Sequence, residues 1–147
     1  MNLQSTTINN ILLIEDTLSC QDLMRIAFEE NKIPHKLHIV SNGESALQFL
    51  WQEKPYLDAP RPNLILLDLN LPKINGYELL KIIKEEPKLK TIPVIVLTSS
   101  TAQQDILKSY NLKANCYLNK PYNFKEFINL VKVSLNFWLN CSQLPQN

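Results

Sequence analysis

The chain has 147 residues with a formal net charge of +1, of which 45% are hydrophobic and 20% charged. This size and composition are typical of one globular domain, and the small net charge argues against nucleic acid or an anionic membrane as partner. No run of about 18 apolar residues could span a bilayer, and the first residues lack the pattern of a signal peptide. Three cysteines without C-x-x-C spacing are typical of reduced thiols in a cytosolic protein.

Short apolar runs alternate along the chain with segments whose apolar residues recur at helical spacing. Apolar runs bounded by turn residues predict buried strands, and apolar residues three and four positions apart predict amphipathic helices. We predict strands at 10–15, 36–40, 64–67, 93–98 and 114–118 and helices at 19–31, 46–50, 79–83, 106–112 and 124–138.

Three segments lie outside this alternation. Residues 1–9 are polar and predict a flexible N-terminal segment, and residues 141–147 form a C-terminal tail. Residues 52–63 contain three prolines, which a helix or a central strand does not tolerate, so we predict a surface loop there. The folded domain is therefore expected to span 10–140.

The alternation of five strands with five helices predicts an α/β fold, a three-layer sandwich with helices on both faces of a parallel sheet. The flavodoxin-like strand order 2-1-3-4-5 is the natural expectation for such a chain. The spacing of the elements does not by itself fix that order.

Polar side chains follow four of the predicted strands where each strand ends. Glu15 and Asp16 follow the first strand and Asp68 the third, while Thr98 ends the fourth and Lys120 follows the fifth. The carboxyl ends of parallel strands share one edge, which is where ligands bind in open α/β sheets. The sequence therefore predicts three carboxylates, one hydroxyl and one ammonium at a common site.

This set of groups fits phosphoryl transfer to a carboxylate. Carboxylate oxygens suit Mg²⁺, a carboxylate is a possible nucleophile, and phosphoryl transfer requires mainly positioning and neutralisation of charge. Each residue alone has a simpler explanation, because Asp16 could cap a helix, Asp68 could be a turn acid and Thr98 could begin a helix. Their occurrence at successive strand ends favours the common site.

The chain resembles, over essentially its whole length, the receiver domain of two-component response regulators. The matching elements are Glu15-Asp16, Asp68 in Leu-Leu-Asp-Leu-Asn-Leu-Pro, Thr98-Ser99 and Lys120-Pro121. Glu15, where the family often has Asp, and Leu71, where it often has Met, depart from the commonest pattern.

The resemblance implies a role for each matching residue. Asp68 would accept the phosphoryl group from a histidine kinase, and Thr98 and Lys120 would contact that group. Mg²⁺ would be held by Asp68 and by three further residues, namely Glu15, Asp16 and the backbone carbonyl of Asn70. The protein would then be a signalling protein rather than an enzyme, with self-catalysed phosphotransfer and autodephosphorylation.

Further features of the family extend this prediction. Tyr117 matches the family's switch aromatic residue, whose ring fills the space vacated when the phosphoryl group draws the threonine hydroxyl, here that of Thr98, inward. A half-buried strand tyrosine is the simpler explanation. The peptide bond before Pro121 is cis in the family. Ser100, two residues after Thr98, occupies a position that tunes access of the hydrolytic water.

A closer resemblance concerns the small stand-alone regulators that serve cyanobacterial phytochromes, which are red-light-sensing histidine kinases. It is carried by three segments, at 59–62, 109–117 and 137–139. The resemblance implies a phytochrome-type kinase as partner, while the unpaired cysteines predict a cytoplasmic location.

The last predicted helix carries more apolar residues than one buried face needs. One stripe, expected to cover the sheet, contains Phe124, Phe127, Ile128, Val131, Leu135 and Trp138. A second stripe runs through Leu130, Val133 and Phe137 towards Cys141. Because the chain ends soon afterwards, we expect a homodimer through Leu130, Val133, Phe137 and Trp138 rather than an attached effector domain. The alternative is that Phe137 folds back over its own protomer.

Other functions stay open. An aspartyl-nucleophile phosphatase typically needs a second acid two residues after the nucleophile, where this chain has Asn70. A flavin-binding protein of the same topology needs a phosphate-cradling loop after the first strand, which is missing here. A receiver-like docking or dimerisation module would signal without phosphorylation, and the sequence does not exclude it.

Overall fold

The structure, a computed structural model, describes residues 8–146 and contains one sheet of five parallel strands. The strand order is β2-β1-β3-β4-β5, so the predicted order 2-1-3-4-5 is confirmed. The strands are β1 (Asn9–Ile14), β2 (His35–Val40), β3 (Leu64–Leu67), β4 (Val94–Thr98) and β5 (Cys116–Asn119). Residues 1–7 of the expected flexible N-terminal segment lie outside the described residues.

Five α-helices connect and follow the strands, as predicted. The predicted loop between the second helix and the third strand contains neither helix nor strand. The helices are α1 (Leu18–Glu29), α2 (Gly43–Leu50), α3 (Gly76–Glu85), α4 (Gln103–Asn111) and α5 (Phe124–Leu135). None of the helices within residues 8–146 combines the length and apolar composition needed to cross a bilayer.

Alternate residues of the central strands face opposite sides of the sheet, and both sides are buried. Leu12, Ile65 and Val96 face a core built with α2 and α3. On the other side, Ile11 and Leu66 face a core built with α1 and α5. Burial on both faces explains why the strands read as unbroken apolar runs.

The last helix differs from its prediction in two respects. The α-helix ends at Leu135 and continues as a π-helical turn over Asn136–Cys141, whereas an unbroken helix to Trp138 was expected. Phe124, assigned to the sheet-covering stripe, is 52% exposed because it begins the helix beyond the edge of the core. Periodicity along one helix does not show where the covered sheet ends.

The first turn of α3 packs directly against the loop that follows β3. The Asn75 side chain caps the helix by accepting a hydrogen bond from the Glu78 backbone N–H at 3.0 Å. A Cβ atom on Gly76 would lie 2.5 Å from the Leu69 Cα and 2.7 Å from the Asp68 carbonyl oxygen. Glycine is therefore needed here because backbone approaches backbone.

We expect Gly76→Ala to destabilise the protein by about 3 kcal/mol, since the added methyl group can be accommodated only by displacing backbone. The free energy of unfolding in urea measures the loss. Lys81→Ala, an exposed change in the same helix, is the matched control and should stay within about 0.5 kcal/mol of the wild type. Equal stabilities of the two variants would contradict the close approach.

Candidate functional site

Glu15 follows β1 and is fixed by all four of its hydrogen-bonding atoms. Its backbone N–H donates to the Val40 carbonyl at 3.0 Å, and its carbonyl accepts from the Gln21 side chain at 2.6 Å. One carboxylate oxygen accepts from the Thr17 N–H at 3.1 Å and the other from Lys120 Nζ at 2.6 Å. The side chain is only 1% exposed, so its charge is compensated inside the protein.

Asp68 follows β3 and lies beside Glu15 at the edge of the sheet. Its backbone N–H donates to the Ile14 carbonyl at 3.1 Å, which continues the pairing of β3 with β1. Its Oδ1 accepts from the Asn70 N–H at 3.1 Å, and its Oδ2 accepts from Lys120 Nζ at 2.9 Å. The carboxylate is thus buried, oriented and paired.

The Lys120 ammonium lies between the two buried carboxylates. Its backbone N–H donates to the Thr98 carbonyl at 2.8 Å, which places the residue beside the end of β4. Burial lowers the pKa of Lys120, but the Glu15 hydrogen bond and the Asp68 charge outweigh burial, so the net pKa lies above the ordinary value. Because its pKa is raised, Lys120 stays protonated at neutral pH and keeps both ion pairs. The stability that these ion pairs contribute is lost only in alkaline solution, where the lysine loses its proton.

The prediction of a cis peptide bond before Pro121 is wrong for this structure. The cis bond among residues 8–146 joins Lys54 to Pro55, in the proline-containing loop. Because Lys120 already contacts both carboxylates from a trans peptide, a cis bond is not required to direct its side chain inward. The expectation came from the family and not from the residues themselves.

Three carboxylates meet at this edge, as the sequence predicted. Oxygen atoms of Glu15, Asp16 and Asp68 lie within 4.8 Å of one another, and Asp16 is exposed while the other two are buried. Such a set of hard oxygen donors with one side open to water fits a divalent cation that keeps part of its hydration shell. Asn70 adjoins the cluster through its N–H, and its expected role as a carbonyl ligand stays a prediction.

Thr98 and Tyr117 lie on the neighbouring strands β4 and β5. Thr98 is fully buried, and its hydroxyl has no hydrogen-bond partner within the described part of the chain. Tyr117 is half-buried, and its hydroxyl donates to the Ser100 carbonyl at 3.0 Å. A buried hydroxyl without a partner is uncommon and fits a site that receives a further acceptor. The switch role of the two residues stays a prediction.

The four residues expected at a dimer interface divide into two pairs. Leu130 and Trp138 are half-buried against the core beneath α5. Val133 and Phe137 are 59% and 52% exposed. Only the second pair therefore presents a large apolar surface to solvent.

Two residues near the cluster were missed by the sequence reasoning. Gln21 is 6% exposed and donates to the Glu15 carbonyl and to the Ser41 hydroxyl at 3.2 Å. Burial, followed by the charge of Glu15, raises the pKa of the neighbouring Cys20 thiol to about 12, so this thiol stays protonated and unreactive. No sequence signal marks these roles, because both residues simply occupy the apolar face of α1.

Comparisons with known proteins agree with this geometry. The model of the response regulator receiver domain family matches residues 11–132. Response regulator Rcp1 of Synechocystis is 46% identical over 135 residues, which cover 92% of each chain. The crystal structure of its Mn²⁺-bound form superposes with a TM-score of 0.90 at 45% identity over 94% of this chain and 99% of that one. The phosphorylated cyanobacterial phytochrome response regulator RcpA superposes with a TM-score of 0.92 at 42% identity over 95% and 100%.

We expect Lys120→Met to lower the free energy of unfolding by about 3–5 kcal/mol in buffer without divalent cations, because two buried carboxylates lose their shared cation. Added Mg²⁺ should restore part of this loss. Urea unfolding with and without Mg²⁺ provides the measurement.

The matched control is Lys132→Met, since Lys132 forms an ion pair of 2.9 Å with Glu30 between half-exposed side chains. Its loss should cost about 1 kcal/mol or less and should not respond to Mg²⁺. Similar losses for both lysines would show that the central ion pairs are not buried as described.

Proposed function

The chain belongs to the response regulator receiver family, and we propose that it accepts a phosphoryl group from a histidine kinase on Asp68. It is a signalling protein with a receiver domain, for which we propose the bounds 10–140. The observation that carries the proposal is the Asp68 carboxylate, which is buried between Lys120 Nζ and the Asn70 N–H beside two further acids. RcpA, at 42% identity, has a phosphorylated crystal structure.

The kinase that we propose as partner is of the phytochrome type. Support comes from RcpA, a cyanobacterial phytochrome response regulator that covers 95% of this chain. We further propose a cytoplasmic location. This proposal is supported by the three free cysteines, at positions 20, 116 and 141, because unpaired thiols are typical of a reducing compartment.

The transfer itself is a displacement at phosphorus. A carboxylate oxygen of Asp68 forms the new P–O bond while the P–N bond to the kinase histidine breaks, and the imidazole leaves with the electron pair. Lys120 Nζ would then contact a phosphoryl oxygen in place of its Asp68 contact. The Thr98 hydroxyl, buried without a partner, would donate to another. Attack of water on phosphorus later returns the free carboxylate and phosphate, which is the proposed autodephosphorylation.

The acid cluster is the proposed site of Mg²⁺. Glu15, Asp16 and Asp68 would hold the ion together with the Asn70 carbonyl. When bound, the ion supplies positive charge that neutralises the phosphoryl oxygens. The Mn²⁺-bound crystal structure of Rcp1, at 45% identity, supports a divalent cation in this family member as well.

The exposed part of the last helix is the proposed homodimer contact. Val133 and Phe137 present more than half of their side-chain surface to solvent, and Phe137 stacks edge-to-face on Trp138 with ring centroids 5.3 Å apart. Large exposed apolar groups on one helix favour burial against a second copy. Leu130 would flank this contact from its half-buried position.

We expect incubation with acetyl phosphate and Mg²⁺, or with a phytochrome-type histidine kinase and ATP, to add one phosphoryl group to the wild type. Asp68→Asn should gain none, because the acceptor oxygen is lost, and chelation of Mg²⁺ should prevent the reaction. Intact-mass spectrometry detects the adduct.

Asp58→Asn, an exposed acid in the proline-containing loop, is the control and should keep the adduct. An adduct on Asp68→Asn would refute the proposed acceptor. Kinase binding that was equal for phosphorylated wild type and Asp68→Ala would instead favour a docking module whose output does not require phosphorylation.

We expect Phe137→Ser to shift the protein from dimer to monomer at tens of micromolar, because the contact loses its largest exposed apolar group. Light scattering after size exclusion measures the mass. Phe124→Ser is the matched control, since Phe124 is also 52% exposed but begins α5, whereas Phe137 lies in the π-helical turn after it. A monomeric wild type, with or without a phosphoryl analogue, would disprove the dimer.

A further inference from the structure

The carboxylate of Asp105, in the first turn of α4, joins two segments that border the site. One oxygen accepts a hydrogen bond from the Tyr77 hydroxyl, which comes from α3. The other accepts from the Ser100 hydroxyl at 2.5 Å, which comes from the loop between β4 and α4. Asp105 is thus the shared acceptor of two hydroxyl donors that are distant in sequence.

Ser100 is held from further directions by the end of β5. Its carbonyl accepts from the Tyr117 hydroxyl at 3.0 Å and from the Asn119 side-chain amide. Ser100 follows Thr98 by two residues, so the contacts of Ser100 fix the backbone close to Thr98. The contacts of Ser100 therefore restrain the start of the loop between β4 and α4.

Tyr77 connects the same carboxylate to the loop that follows the acceptor. The preceding residue, Gly76, approaches the backbone of Asp68 so closely that a Cβ atom would lie 2.7 Å from its carbonyl oxygen. Lys108 Nζ covers the Tyr77 ring at 4.2 Å from its centroid. The ring is thus fixed between α3 and α4.

The protonation states suit this arrangement. The Ser100 hydrogen bond, and then the Tyr77 hydrogen bond, lower the pKa of Asp105, so it is ionised at neutral pH. Burial, and then the Asp105 hydrogen bond, raise the pKa of Tyr77, so its hydroxyl stays protonated and donates. The carboxylate accepts from both donors under ordinary conditions.

Resting on the proposed phosphorylation of Asp68, we infer that Asp105 is a positioning residue that holds Ser100 and the β4–α4 loop in their unphosphorylated arrangement. The Tyr77–Asp105–Ser100 link ties this loop to α3, and occupation of the site by a phosphoryl group loosens the link. A substitution that weakens the link therefore raises the affinity of the site for a phosphoryl group, because less of the binding free energy is used to release the loop.

The test uses beryllofluoride with Mg²⁺ as the phosphoryl analogue, and isothermal titration calorimetry gives its dissociation constant. Tyr77→Phe and Asp105→Asn should each bind about fivefold more tightly than the wild type, the factor expected for one hydrogen bond. Both variants should also be less stable in urea without the analogue. A merely structural role would lower stability and leave the affinity equal or weaker.

A double-mutant cycle shows whether Tyr77 affects the binding of beryllofluoride through Ser100. Tyr77→Phe should tighten binding in the wild type but not in a Ser100→Ala background, because the loop is then already released from Asp105. Tyr56→Phe, a half-buried tyrosine of the proline-containing loop, is the matched control and should leave the affinity unchanged.

The binding measurement distinguishes a failure of the proposed phosphorylation from a failure of the positioning role. A wild type that binds no beryllofluoride would refute the phosphorylation of Asp68 and this inference with it. A wild type that binds, together with Tyr77→Phe and Asp105→Asn variants that bind no more tightly, would refute the positioning role alone.

Discussion

The Lys120 ammonium forms ion pairs with two buried carboxylates that come from different strands, and the arrangement of the sheet edge depends on these contacts. Glu15 follows β1 and Asp68 follows β3, while Lys120 reaches both from the end of β5. Two buried anions would repel each other without a shared cation, so the positions of the three strand ends are coupled. Burying such charges costs desolvation free energy, which indicates that the cluster serves chemistry rather than stability.

The same charges support the proposal that a divalent cation takes part in the phosphorylation of Asp68. Three carboxylates and one ammonium leave the cluster formally at −2 before any ligand binds. A phosphoryl group on Asp68 brings a charge of about −2 at neutral pH in place of one carboxylate charge. Lys120 alone cannot balance this increase, whereas a divalent cation among the oxygen donors can. The proposed need for a cation thus rests on the negative charge that the three strand ends bring together.

Sequence reasoning succeeded where the backbone alone decides the outcome. Strands buried on both faces read as apolar runs, and the edge shared by parallel strand ends brought Glu15, Asp68 and Lys120 together as expected. It failed for hydrogen bonds between side chains that are distant in sequence and carry no recognisable motif. Asp105 reads as a solvated helix residue, and nothing in the sequence pairs it with Tyr77. The π-helical turn at the end of α5 likewise depends on packing that periodicity does not encode.

The buried Thr98 hydroxyl shows how such a site can respond to one phosphoryl group. A buried donor without a partner costs about 1–3 kcal/mol, and this cost exists only while no acceptor is present in the site. The loop nevertheless keeps its arrangement because Ser100 is bound by Asp105, Tyr117 and Asn119. In the proposed switch, these hydrogen bonds of Ser100 favour one state and the unsatisfied Thr98 donor favours the other. When two states differ by only a few kcal/mol, a single ligand that prefers the minor state can make it the major one.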